Sequence, residues 1–113
     1  MEKKEKKLID TCPVRKSLDI IGGKWKLLII GQFFGAEMLR YGDLKKLIPE
    51  ISEKMLNQEL KFLCKANILS KKIFHETPLR VEYALTDLGK QVIPFIGMLA
   101  DLGNKLEELE GEA

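Results

Sequence analysis

Long hydrophobic runs are missing from this 113-residue sequence. The longest apolar stretch, Leu27 to Leu39, is broken by Gln32 and Glu37 and falls short of the ~20 residues that span a bilayer. No membrane partner is expected. Met1 to Lys7 is a charge run with no apolar segment of signal-peptide length behind it, so the chain reads as cytoplasmic. Cysteine and histidine are almost absent. Cys12 and Cys64 are far apart and His75 is the only histidine, which excludes a disulfide framework and a zinc site. There is no Gly-rich phosphate loop or nucleophile elbow, and only one histidine is available as a general base near neutral pH. Catalysis is therefore not expected, and no catalytic residue, metal or cofactor is assigned.

What is present is enough for one folded domain. Separate cores usually appear only well beyond ~250 residues, so 1–113 is read as a single domain. Its 45% hydrophobic and 32% charged residues supply a core without the charge imbalance of a disordered chain. The net charge of +2 hides an uneven distribution: +1 over residues 1–10, +5 over 11–100 and −4 over 101–113. A basic middle is compatible with a polyanionic partner, but the order of elements has to decide.

Pro13 to Ile21 spaces Val14, Leu18 and Ile21 for one helical face and stops at Gly22-Gly23. Lys24 to Phe34 is apolar almost all round and reads as a central buried helix ending at Gly35. Tyr41 to Ile48 repeats Leu44, Leu47 and Ile48 before Pro49 forces the chain out. Ser52 then caps a helix with Met55, Leu56, Leu60 and Leu63 facing inward, and Asn67 suits a left-handed stop. Two β-like runs follow, Ile68 to Phe74 and Val81 to Leu85; the second alternates cleanly, and the first rests on β-propensity. Thr86 opens a last helical region that Pro94 should kink or divide.

Helix, helix, short helix, tight turn, helix, hairpin, helix is the order of a winged helix-turn-helix. The fold class expected is α+β, mainly α, with a two-stranded wing and additional N- and C-terminal dimerisation helices. Residues 1–10 are read as a flexible tail and 91–113 as the C-terminal dimerisation helix. In this motif a turn braces two helices so that the second enters the major groove. With its leucines inward, that reader helix turns Glu53, Lys54, Asn57, Gln58, Lys61 and Lys65 outward. Asn and Gln can pair with adenine, and Lys can reach guanine or phosphate. The bland alternative is a merely solvated face. Ser52 with Glu53, Lys54, Asn57, Gln58 and Lys61 form the predicted reading set. Arg40, Lys45, Lys71 and Lys72 are phosphate candidates, and Arg80 is either a wing contact to phosphate or minor groove or a surface arginine.

Cys12-Pro13, Gly22-Gly23-Lys24-Trp25 with Leu28-Ile29, Arg40-Tyr41 with Leu44, Ile51-Ser52 with Leu56, Pro78 with Val81-Glu82-Tyr83, Leu85-Thr86 and Gly89 together resemble HxlR-type regulators, a MarR-like group. The resemblance runs from Cys12 to Gly103. It departs at Tyr41, where Phe is commoner, and at Leu102, where Trp is often found. It implies a winged-helix transcriptional regulator acting as a homodimer on double-stranded DNA with a pseudo-palindromic operator. It also implies that Cys12 is a redox- or electrophile-sensing thiol.

The residues speak to two of these points independently. The apolar stripe from Ile96 to Leu109 exceeds what one small domain covers, so it pairs with a partner subunit or folds back on its own core. Cys12 precedes a proline suited to a first helical turn and has Arg15 and Lys16 nearby, which would lower its pKa; it is either a sensor or an inert small residue. Cys64 reads as packed. The alternative to DNA binding is a winged-helix protein-interaction module. The operator sequence, the sense of regulation and any small-molecule effector are not encoded in a readable way.

Overall fold

A computed structural model of the chain describes residues 13–112. Helix α1 (Pro13–Ile21) begins on a proline, whose missing N–H is no loss in a first turn. It ends where the Gly22 amide donates to the Leu18 carbonyl at 2.7 Å. A Cβ on Gly22 would lie 2.3 Å from that oxygen, and Gly23 takes a left-handed φ of +94°, so the sequence needs both glycines to turn sharply here.

Helix α2 (Lys24–Gln32) is central but not enclosed. Ile29, Ile30 and Phe33 are buried, whereas Leu28 is exposed and Phe34, in the turn beyond the helix, is 77% exposed. The reading of a helix buried all round is thus corrected: α3, α4 and α6 cover one side of it and leave the other open.

A two-residue strand, β1 (Leu39–Arg40), leads into α3 (Tyr41–Leu47). After the turn come α4 (Glu53–Lys65), β2 (Leu69–Phe74) and β3 (Arg80–Leu85). The sheet is antiparallel in the order β1-β3-β2, with Leu39 and Lys71 opposite Tyr83, and Arg40 and Lys72 opposite Glu82. The wing is therefore three-stranded at its base rather than two-stranded. Strand β2 alternates poorly because only Leu69 is buried; Ser70, Lys71, Lys72 and Ile73 are exposed, and Phe74 is half-buried.

Thr86 closes the base of the wing. Its hydroxyl donates to the Asn67 carbonyl at 2.6 Å and accepts from the Gly89 amide at 2.9 Å. A Cβ on Gly89 would meet the Ile68 oxygen at 2.2 Å, so α5 (Asp87–Lys90) can approach the backbone just ahead of β2 only through a glycine. Helix α6 (Val92–Glu112) is separated from α5 at Gln91. Pro94 causes the division one turn upstream of itself, since it has no N–H for the Lys90 carbonyl and its ring excludes that carbonyl. The core joins Ile29, Ile30 and Phe33 to Leu44, Ile48, Ile51, Leu56, Leu60, Leu63, Ile68, Leu69 and Tyr83. Among the described residues no helix is long and apolar enough to cross a membrane.

Candidate nucleic-acid interface

The turn between α3 and α4 is built by its own side chains. Ile48 and Ile51 are buried, and the Ile51 amide donates to the Ile48 carbonyl at 3.2 Å. The Lys45 ammonium donates to the Pro49 carbonyl at 3.3 Å and also to the Ile51 carbonyl. Ser52 accepts the Met55 amide at 3.0 Å as the N-cap of α4. Glu53 in the first turn suits the positive end of the helix.

Helix α4 presents two different sides. Leu56, Leu60 and Leu63 are buried, while Glu53, Lys54, Asn57, Gln58, Lys61 and Lys65 are exposed. At 3.6 residues per turn, Lys54, Asn57, Gln58, Lys61 and Lys65 fall within one arc of ~100°, opposite the leucines. Glu53 lies ~40° outside that arc, on the side toward Leu60, and its carboxylate, after burial, helps push the Tyr41 phenol up.

The orientation of α4 has a support that the sequence did not disclose. Lys26 of α2 pairs with Glu59 at 2.9 Å, their side chains 18% and 13% exposed, and the same ammonium lies 4.7 Å from the centre of the Phe62 ring. The partners are 33 residues apart, and no local spacing predicts a pair at that distance. Behind the helix, burial raises the Cys64 thiol, with Lys71 opposing, and burial, Cys64 and Tyr41 raise the Tyr83 phenol. Cys64 is thus held as a neutral thiol.

The predicted phosphate set divides. Lys71 and Lys72 are exposed but point to opposite faces of β2, because successive strand residues alternate. Arg40 is exposed, opposite Glu82 in the sheet. Arg80 lies at the outer end of the wing, with its guanidinium 4.0 Å from the Phe74 ring centre and 3.5 Å from the Glu76 and Glu82 carboxylates. Lys45 is half-buried and committed to the turn. Cys12 lies outside the described residues.

On α6, Ile93 and Ile96 pack on the domain's own core. Phe95, Leu99, Leu102, Leu106 and Leu109, at steps of four, three, four and three, stay exposed on a different face. That stepping is the 3.5-residue repeat of a helix seam. The apolar surface continues onto α1 through a groove of about 590 Å³ lined by Val14, Leu18, Leu88 and Phe95.

A family model described as HxlR-like helix-turn-helix matches residues 20–110. The HTH-type transcriptional regulator YdeP of Bacillus subtilis (strain 168) is 34% identical over 97 residues, covering 86% of this chain and 75% of that protein. A solved structure from Porphyromonas gingivalis W83, named for the MarR family of transcriptional regulators, is 53% identical with a TM-score of 0.75, covering 83% of this chain and 91% of the other. The reduced form of the redox regulator HypR superposes with a TM-score of 0.81 at 27% identity, covering 90% of this chain and 100% of the other.

Proposed function

This chain belongs to the HxlR-like helix-turn-helix family of transcriptional regulators, MarR-like in fold and not enzymes, and from that premise we propose that it binds double-stranded DNA as a homodimer through α4. The observation that carries the reading is the exposed arc of Lys54, Asn57, Gln58 and Lys61 on the side of α4 opposite its buried leucines. Two amides with cations on either side can read adenine edges while holding phosphates. Ser52 and Lys45 serve by fixing the start of the helix, Ser52 as its cap and Lys45 as the brace of the turn. Lys71, Lys72 and Arg40 add phosphate contacts from the wing and its base.

The second apolar face of α6 and its continuation onto α1 support pairing with a second copy. Twofold pairing spaces two reader helices about one DNA turn, ~34 Å, apart and calls for a pseudo-palindromic operator. Such a regulator works on the chromosome, in the cytoplasm. HypR, a redox regulator known in reduced and oxidised forms, favours a second element of the reading, that Cys12 is the thiol through which oxidants or electrophiles alter DNA binding.

A mobility-shift assay on DNA from beside the protein's own gene, with and without diamide, tests both elements. Replacing Asn57, Gln58 and Lys61 together with Ala should keep folding and dimerisation and abolish operator discrimination; sequence preference surviving in that variant refutes the reader-helix role. Cys12→Ser should remove the diamide response. An undiminished response locates the switch elsewhere.

A further inference from the structure

The wing carries an acidic side chain where a phosphate-gripping surface would want none. Glu82 is in the middle of the central strand, with Arg40 opposite it on β1 and Lys72 opposite it on β2. Directly opposed strand residues share a face of the sheet, and Arg80, two residues back along β3, shares it as well. Glu82 is thus flanked by three cations. The Phe74 ring joins the same cluster, with the Lys72 ammonium 5.0 Å and the Arg80 guanidinium 4.0 Å from its centre.

Arg80 is held in this cluster without being well bonded. Its Nε lies 3.5 Å from a Glu82 oxygen and its Nη2 3.5 Å from a Glu76 oxygen, with the side chains of Arg80 and Glu82 29% and 17% exposed. Those separations are at the limit of hydrogen bonding. Arg80 Nε is buried and has no hydrogen-bond partner among the described residues. Coulombic attraction and stacking on Phe74 do the holding, and a duplex phosphate, which can accept two parallel N–H bonds from a guanidinium, is a better partner.

Resting on the duplex-binding reading, we infer that Glu82 attenuates DNA affinity: it occupies Arg80 and offsets the charge of the neighbouring Arg40 and Lys72 in the free protein, and lowers binding to every duplex regardless of sequence. Exchange of partners is the event on binding. The guanidinium leaves the Glu82 carboxylate for a phosphate oxygen, no proton moves, and the carboxylate remains beside the phosphates as a repulsive charge. Glu82 therefore tunes strength and salt dependence, while the amides of α4 tune sequence preference.

Fluorescence anisotropy of the full chain, on a random-sequence duplex and on DNA from beside its own gene, tests this between 50 and 200 mM salt. Glu82→Gln should bind both duplexes more tightly than wild type without altering their ratio. Removing the carboxylate that stays beside the phosphates adds one net neutralised phosphate and steepens the log–log salt slope by ~0.9, so the gain should be roughly 3.5-fold larger at 50 mM than at 200 mM. Adding Arg80→Gln should remove most of the gain. Glu107→Gln on α6, the same change of net charge outside the wing, should leave affinity and slope unchanged.

Equal or weaker binding by folded Glu82→Gln, an unchanged slope, or an equal gain from Glu107→Gln overturns the attenuator. If thermal melting shows Glu82→Gln unfolded, Glu82→Thr, neutral and suited to a strand, is held to the same criteria. Wild type binding no duplex at any salt refutes the DNA-binding reading along with it, whereas wild-type binding without the Glu82 effect refutes the attenuator alone.

Discussion

Replacing Leu102 and Leu106 with Ala should break the proposed dimer while sparing the monomer. Within one subunit these side chains are 53% and 51% exposed, so each still has about half of its burial free energy to gain, ~1 kcal/mol at the usual range for a fully buried leucine. Two leucines per subunit make four across a twofold interface, or ~4 kcal/mol, which raises the dimer dissociation constant ~1000-fold. Alanine keeps the propensity of the helix, and neither leucine belongs to the core, so the isolated subunit should stay folded. Sedimentation velocity over a concentration series reads the assembly, and far-UV circular dichroism reads the fold. As a contrast, Leu56→Ala removes a side chain with no exposure and should lower folding stability by ~2–5 kcal/mol. If the Leu102/Leu106 variant sediments like wild type at every concentration, the second face of α6 is not the seam. If it loses folding stability as Leu56→Ala does, the stripe serves the subunit's own core instead.

Removing one partner of the Lys26–Glu59 pair, by Lys26→Met, should lower stability by ~1–2 kcal/mol, between the values for exposed and buried pairs; urea unfolding should show part of the loss recovered when Glu59→Met is added, and no recovery would mean the ion pair is not the cause. Burial raises the titration of Cys64, Tyr41 and Tyr83 alike, so the folded state holds their protons more tightly than the unfolded chain, and stability should fall as pH rises through the ordinary thiol and phenol range; urea midpoints that stay flat or increase across that range would contradict the burial.

The path of the chain was largely legible because the informative signals are local. Glycine pairs, a proline at a helix start and Ser52 as a cap act on their own neighbours, and the leucine spacing of α4 fixes which side turns inward whatever it packs against. The outward set of Asn57, Gln58 and Lys61 follows from that spacing alone. Pro94 announced its division for the same reason, since a missing N–H acts one turn away. Other features depend on residues that meet only after folding. Strand β1 is two residues long and exists because Leu39 and Arg40 come to lie beside Tyr83 and Glu82; nothing in a dipeptide foretells it. The apolar periphery of α2 looked like a fully buried helix, because composition reports hydrophobicity and not which neighbours arrive to cover it. Cations were the least legible of all. As a residue type, a lysine or arginine signals only charge, and the fold decided that Lys26 would clamp Glu59, that Lys45 would brace the turn and that Arg80 would be held by Glu76 and Glu82. Short-range geometry thus wrote the helices and the outward polar face of α4, whereas ion pairing, a long-range interaction blind to sequence spacing, was settled by the tertiary structure.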